Sequence, residues 1–267
     1  MNTFRNKVVV LTGASSGIGK ALALQLADQG AKLVLAARDL TKLQETEALC
    51  VKKGAQTHVV SLDVSVREAC SALIRETIET FGQLDVLINN AGVTMWARFD
   101  EITAPETLLR LMEVNFWGSV WCTYYALPHL KQSKGRVVGV ASLTGKTGVP
   151  TRSIYAATKH AMAGFFDSLR IELAESGVDI TMIYPGFVQS EIRGRAIGPD
   201  GKAIGDSPVK EREVMTAEAC ARQILVATAA RKRELVMTTR GKLGLWIKLI
   251  APRLVDNIAR KAIETGK

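Results

Sequence analysis

Short runs of β-branched and aliphatic residues alternate along the chain with longer stretches whose apolar positions recur at helical spacing. The strand-like runs are KVVVLT (7–12), AKLVLAA (31–37), THVVSLD (57–63), LDVLINN (84–90), GRVVGVAS (135–142), VDITMIYPG (178–186) and ELVMTT (234–239). Helix-period stretches cover 18–29, 40–53 and 66–81 between the first four runs, and another covers 153–175. Continuous apolar runs joined by helical crossovers predict parallel strands buried on both faces. The expected fold is α/β, a doubly wound seven-stranded parallel sheet with helices on both faces. Right-handed crossovers then bring the loops after the strands to one edge, where ligands of such sheets bind. One long loop is expected over 186–214, rich in glycine and proline from Gly194 to Pro208. Loops of that length in compact domains are usually functional or disordered, and this one is expected to act as an active-site lid.

Composition narrows the function classes. With 267 residues and 47% hydrophobic content, the chain has enough apolar surface for a sizeable core. A single domain over 1–267 is expected, with its core at about 5–240 and a basic amphipathic extension at about 241–267. The four cysteines (Cys50, Cys70, Cys122, Cys220) are widely spaced, with no Cys-x-x-Cys pair. That spacing argues against a metal site or a disulfide framework and suits a reducing, cytoplasmic compartment. The start, MNTFRNKVVVLTG, lacks the apolar stretch of a secretion signal, and no uncharged apolar run reaches the roughly 18 residues of a spanning helix. The net charge is +9. Residues 231–267 hold ten Lys and Arg against three Asp and Glu, so +7 of the excess lies in the tail. No nucleic-acid recognition motif accompanies it, and no nucleic-acid partner is expected.

The loops after the strands carry the chemistry. Thr12-Gly13-Ala14-Ser15-Ser16-Gly17-Ile18-Gly19 ends the first strand and opens a helix. Glycines there allow close approach to a pyrophosphate, and the helix N-terminus offers it free amides and a positive dipole end. At the end of the second strand, Ala37 leaves no carboxylate for a ribose hydroxyl and Arg38 supplies a cation for an extra phosphate, which favours NADP(H) over NAD(H). Asp39 is placed to cap the next helix. Asp63-Val64 and Asn90-Ala91-Gly92 follow the third and fourth strands at the same edge. An aspartate there can accept from an adenine amino group, and the small turn lets base and ribose pack on the backbone. Ser142 ends the fifth strand, and Tyr155 and Lys159 lie four apart on the next helix, hence on one face. An ammonium near a phenol favours the phenolate and brings its pKa from about 10 towards neutrality. Ser142 would hydrogen-bond a substrate carbonyl beside it.

TGASSGIG, NNAG, Asn115, Ser142, YAATK and Tyr184-Pro185-Gly186 resemble, in order and spacing, the short-chain dehydrogenase/reductase family, over about residues 5–240. The resemblance implies a Rossmann-like fold and a catalytic set of Asn115, Ser142, Tyr155 and Lys159. In that set Tyr155 exchanges the proton, Ser142 holds the substrate oxygen, Lys159 binds the nicotinamide ribose, and Asn115 helps to hold a relay water. It also implies that Ser15, Ser16, Ile18, Pro185, Gly186 and Val188 join the residues above at the cofactor. GVASLTGKTGVP and the long tail look like the 11-beta-hydroxysteroid dehydrogenase type 1 branch, whose members act on steroids, retinoids and other lipophilic carbonyls. The implied reaction is NADP(H)-dependent hydride exchange with a lipophilic ketone, aldehyde or secondary alcohol. Met95, Trp96, Leu143, Thr144, Val149 and Phe187 are expected to shape the substrate pocket. The alternatives are a 3-oxoacyl-carrier-protein reductase and a non-catalytic NADP-binding scaffold.

Two features lie outside the site. Trp117, Trp121 and Tyr125 recur every fourth residue, with Phe116 and Tyr124 beside them. Such a stripe packs either on its own sheet or on another subunit, and the resemblance implies a homodimer or homotetramer formed through this helix and the Tyr155 helix. The tail sets Leu243, Trp246, Ile247, Leu249, Ile250, Leu254, Val255 and Ile258 among basic residues, with Pro252 as a break. It is expected to pack on a subunit, to lie peripherally on a membrane surface, or both.

Overall fold

The structure, a computed structural model, describes residues 3–189, 192, 194–205 and 214–264. The rest of the expected 186–214 lid, Pro208 included, and the last three residues of the tail lie outside the described residues. Seven strands, β1 (Val8–Thr12), β2 (Lys32–Ala37), β3 (Thr57–Ser61), β4 (Val86–Asn89), β5 (Arg136–Val140), β6 (Asp179–Tyr184) and β7 (Glu234–Val236), form one parallel sheet. Their order is β3-β2-β1-β4-β5-β6-β7, so the winding reverses between β1 and β4. Val10 sits opposite Val34 on β2 and Leu87 on β4, which fixes the register at that reversal. All seven expected strands form.

Helices α1 (Gly17–Asp28), α2 (Leu40–Lys52), α3 (Arg67–Phe81), α4 (Glu106–Met112), α5 (Gly118–Ser133), α6 (Ser153–Glu172) and α7 (Ala217–Ala229) cover the sheet. Successive strand residues point to opposite faces. Val9 and Leu11 therefore enter a core with Leu22 and Leu26 of α1, Leu43 of α2 and Ile224 of α7. Val10 enters a second core with Leu73 of α3, Cys122 of α5 and Phe166 of α6. Asp39 caps α2 as expected, its carboxylate accepting from the Lys42 amide at 3.1 Å.

A single π turn, Glu113–Trp117, joins α4 to α5. It carries the start of the aromatic stripe. Trp117 stacks on Trp121 at 5.2 Å, the Arg67 guanidinium of α3 lies 5.3 Å from the Trp121 ring, and Arg67 Nε donates to the Tyr125 hydroxyl at 2.9 Å. Much of the stripe thus packs on α3, while Trp117 and Tyr124 stay exposed.

The tail forms a helical pair, α8 (Thr239–Ile250) and α9 (Pro252–Glu264). Pro252 opens α9, a position where its missing N–H costs nothing. Leu245 packs on the second core, whereas Leu243, Trp246, Leu249, Ile250, Leu254 and Ile258 are exposed.

Candidate active site

One cavity of about 690 Å3 runs along the carboxyl ends of the strands. At its floor, Gly13 has φ +68°, in the left-handed region that favours glycine. A Cβ on Gly13 would lie 2.9 Å from Ala91 Cα, and one on Gly19 would lie 2.0 Å from the Gly13 oxygen. Only glycine lets the turn, α1 and the loop after β4 meet this closely. The contact is held by Asn90 Nδ2, which donates to the Thr12 and Gly13 oxygens at 3.0 and 3.2 Å. Thr12 Oγ1 accepts from the Asn90 and Ala91 amides, each at 3.0 Å. The first amides of α1, at Gly17, Ile18 and Gly19, have no partner within the helix and belong to residues of the cavity wall.

At the ends of β2 and β3 the wall includes Arg38, Asp39, Asp63 and Val64. The Asp63 carboxylate already accepts from the Ser65 amide at 3.0 Å, from Ser65 Oγ at 2.8 Å and from Arg110. Burial raises the Asp63 pKa, but these bonds outweigh it and keep the group below the usual carboxylate range. Much of its accepting capacity is therefore committed within the protein.

On the opposite wall, Ser142 follows β5, and Tyr155 and Lys159 project from α6 into the same cavity. Lys159 Nζ donates to the Val140 oxygen at 3.2 Å and lies 5.8 Å from the Tyr155 ring centre. Burial brings the Lys159 pKa down to about 8. Burial also raises that of Tyr155, opposed by the charge of Arg152 and by a hydrogen bond with Ser142. The cation acting most on the phenol is Arg152, whereas the sequence pointed to Lys159.

The wall brings together every residue expected at the cofactor: Gly13, Ser15, Ser16, Gly17, Ile18, Gly19, Arg38, Asp63, Val64, Asn90, Ala91, Gly92, Tyr155, Lys159, Pro185, Gly186 and Val188. Leu143, Thr144, Val149 and Phe187 line its other end. Two expected pocket residues do not line it. Met95 bridges to Ile197 and is buried in a small cluster with Ala97, Leu111 and Tyr155. Trp96 stacks behind Arg152, 4.6 Å from its guanidinium. Asn115 is also set back from the wall. Its Oδ1 accepts from the Val93 amide at 2.8 Å, and its Nδ2 donates to the Val93 oxygen at 2.9 Å and to Thr158 Oγ1 at 3.0 Å.

The described wall also holds residues that the motif reading passed over, among them Arg152, Thr147, Ile192 and Arg195. A signal existed for Arg152 in its place three residues before Tyr155, at the N-cap of α6. None existed for Ile192 or Arg195, which come from the irregular segment after β6.

The family model for short chain dehydrogenase matches residues 7–198. The chain belongs to the short-chain dehydrogenase family. It is an oxidoreductase acting on CH–OH and C=O groups. This dehydrogenase is 38% identical over 250 residues to the 11-beta-hydroxysteroid dehydrogenase-like 4A of Arabidopsis thaliana, covering 93% of this chain and 82% of the relative. It is 32% identical over 266 residues to the Dehydrogenase/reductase SDR family protein 7-like of Dictyostelium discoideum, covering 97% and 83% respectively. Among solved structures it is similar to an alcohol dehydrogenase from the archaeon Thermococcus sibiricus complexed with 5-hydroxy-NADP. That likeness has a TM-score of 0.75 and 28% identity, covering 86% of this chain and 94% of the other. Among the described residues of the dehydrogenase, no group of three His, Cys, Asp or Glu side chains is placed to hold a metal ion.

Proposed function

We propose that this dehydrogenase exchanges hydride between NADP(H) and a lipophilic ketone, aldehyde or secondary alcohol, with Tyr155 as proton donor and acceptor. The observation that carries the reading is the placement of Ser142, Tyr155 and Lys159 on the same cavity as the glycine turn and Arg38. The residues present fit a dinucleotide: the glycine cradle would be filled by any Cβ, the free amides of α1 suit a pyrophosphate, and Arg38 suits a further phosphate. The similar archaeal enzyme complexed with 5-hydroxy-NADP supports this choice.

When bound, the nicotinamide supplies or accepts the hydride, the chemistry the chain itself lacks. The chain's residues supply position and the proton. Ser142 Oγ donates to the carbonyl oxygen and fixes it beside the phenol. Tyr155 delivers its hydroxyl proton to that oxygen in reduction and takes it back in oxidation. Lys159, neutralised at higher pH by its burial, holds the ribose and steadies the phenolate while charged. Leu143, Val149, Phe187 and Ile192 give the other end an apolar wall, which suits a lipophilic substrate.

Replacing Tyr155 with Phe removes the proton and little volume. Turnover of a carbonyl panel is expected to fall about a thousandfold while NADPH still binds, as followed by fluorescence titration. Retained turnover would sink the mechanism. Tight NADPH binding with no turnover of any carbonyl by the unaltered protein would favour a scaffold, and selective turnover of acetoacetyl thioesters would favour a carrier-protein reductase.

The four cysteines are free and buried, which suits a reducing cytoplasmic compartment. No described helix is long and apolar enough to cross a membrane. Exposed Trp117 and Tyr124 by α5 and Ile171 of α6 support a homodimer or homotetramer through those helices. The basic, apolar α8–α9 pair supports peripheral contact with an anionic membrane surface.

A further inference from the structure

We propose that Arg110 is a positioning residue for the adenine end of the cofactor: together with Ser65 it orients the Asp63 carboxylate so that one oxygen, Oδ2, accepts from the adenine amino group. The inference rests on the reading of the cavity as an NADP(H) site.

Asp63 stands on the cavity wall after β3, whereas Ser65 and Arg110 do not line the cavity and touch it only through Asp63. The wall around the carboxylate is apolar. Leu62 and Val64 flank Asp63 in the chain, and Val64 packs in the second core with Val114, which joins the wall from the π turn. Val64 is held in turn by Cys70 of α3, whose Sγ donates to the Val64 oxygen at 3.2 Å. Apolar walls let a flat ring pack but give it little orientation, which falls to the few polar groups among them.

Three donors from two segments converge on this carboxylate. Oδ1 accepts from the Ser65 amide at 3.0 Å and from Ser65 Oγ at 2.8 Å, and Oδ2 accepts from Arg110 Nη2. Arg110 Nη1 also donates to Ser65 Oγ at 2.5 Å, which closes a ring of hydrogen bonds through Arg110, Ser65 and Asp63. An ionised carboxylate offers about four acceptor positions. Two are taken at Oδ1 and one at Oδ2, so the position left belongs to the oxygen that Arg110 holds.

Arg110 is itself fixed in place. The next residue, Leu111, is fully buried in the cluster of Met95 and Tyr155, which sets the rotation of α4. Glu113, three residues on, lies 3.7 Å from Nη1. Stability gives little reason for the ring, since the Arg110 and Asp63 side chains are 35% and 27% exposed and ion pairs open to water contribute little. The ring instead immobilises, before any ligand arrives, a carboxylate that would otherwise lose its freedom on binding. It also sets a cation against the Asp63 charge, which would otherwise repel the cofactor's phosphates.

The test uses NADPH and an analogue carrying unsubstituted purine in place of adenine, each titrated against the full chain by nicotinamide fluorescence. The unaltered protein is expected to bind NADPH about ten- to a hundredfold more tightly than the analogue, which lacks one hydrogen bond to a charged group. In Arg110→Met the carboxylate has to be ordered on binding, and this preference is expected to fall about fivefold. Any change in attraction for the phosphates falls on both dinucleotides and leaves the ratio unmoved. Adding Arg110→Met to Asp63→Ala is expected to change the ratio no further, because the arginine acts through that carboxylate. Arg110→Ala repeats the test should Arg110→Met fail to fold by circular dichroism. An undiminished preference in either folded variant overturns the proposal, even where both dinucleotides bind more weakly, since an equal loss marks a merely structural role. A further fall in the ratio on the Asp63→Ala background overturns it too, as does the absence of any preference in the unaltered protein. Failure of the unaltered protein to bind NADPH at all would instead remove the NADP(H) reading.

Discussion

Arg38 stands on the cavity wall at the end of β2, beyond the small residue Ala37, and we propose that it tells NADPH from NADH. Its contribution is expected to be specific to the extra phosphate, because both cofactors share every other group. Charge-assisted hydrogen bonds contribute about 1.5–3 kcal/mol, so Arg38→Ala is expected to weaken NADPH about ten- to a hundredfold and NADH little. The side chain is exposed, and the loss should shrink at high salt, where screening already weakens the unaltered pair. Fluorescence titration of both cofactors at two ionic strengths reads this directly. Equal losses for NADPH and NADH would remove Arg38 as the discriminating group. Individual residues were legible where their chemistry depends on local spacing. Gly13 and Gly19 in one turn, and Tyr155 and Lys159 on one helical face, need no tertiary knowledge. Thr12 was not legible in this way, because its hydroxyl acts only once β1 meets the loop after β4.

Among the elements, the π turn between α4 and α5 places Asn115 so that one side chain ties three segments: the loop after β4, the π turn itself and α6 through Thr158. Replacing Asn115 with Ala takes the partner from the Val93 amide and carbonyl, while the Thr158 hydroxyl keeps its bond to the Tyr155 oxygen at 2.7 Å. Unsatisfied buried polar groups cost about 1–3 kcal/mol each, so a stability loss of about 2–4 kcal/mol is expected in urea denaturation. A variant as stable as the parent would show that these bonds are replaced by water. The strands were legible because runs such as KVVVLT are apolar on both faces and β-branched, a pattern that few helices carry. The π turn was not, because one extra residue inside an otherwise helical stretch leaves no mark in hydropathy. The displacement of Met95 and Trp96 from the pocket has a similar cause. The bridge from Met95 to Ile197 joins two irregular segments, and nothing in either segment alone announces it.

At the scale of the whole molecule, the uneven charge and the exposed apolar surface fall on the same element. Residues 239–264 carry six Lys and Arg against two Asp and Glu, and on the same helical pair Trp246 is 70% and Ile250 87% exposed. An apolar surface rimmed with cations complements an anionic bilayer, where large side chains enter the headgroup boundary and basic ones meet phosphates. The pair is also joined to the cavity. A Cβ on Gly241 would lie 3.1 Å from Leu143 Cδ1, and Lys248 Nζ donates to the Lys146 oxygen at 2.9 Å, so α8 braces the end of the cavity lined by Leu143. A tail resting on lipid would hold that end near dissolved lipophilic substrates. The full-length protein is therefore expected to float with vesicles containing phosphatidylglycerol and not with pure phosphatidylcholine, and its tryptophan emission should shift to the blue on binding. Each large apolar side chain removed from water contributes about 1.5–3 kcal/mol, so Trp246→Glu with Ile250→Glu should weaken flotation at least tenfold. Turnover of a water-soluble carbonyl should persist in that variant, since neither residue lines the cavity. If the double variant instead lowers the mass measured by light scattering and leaves flotation unchanged, the face is covered by a second subunit and the membrane reading fails.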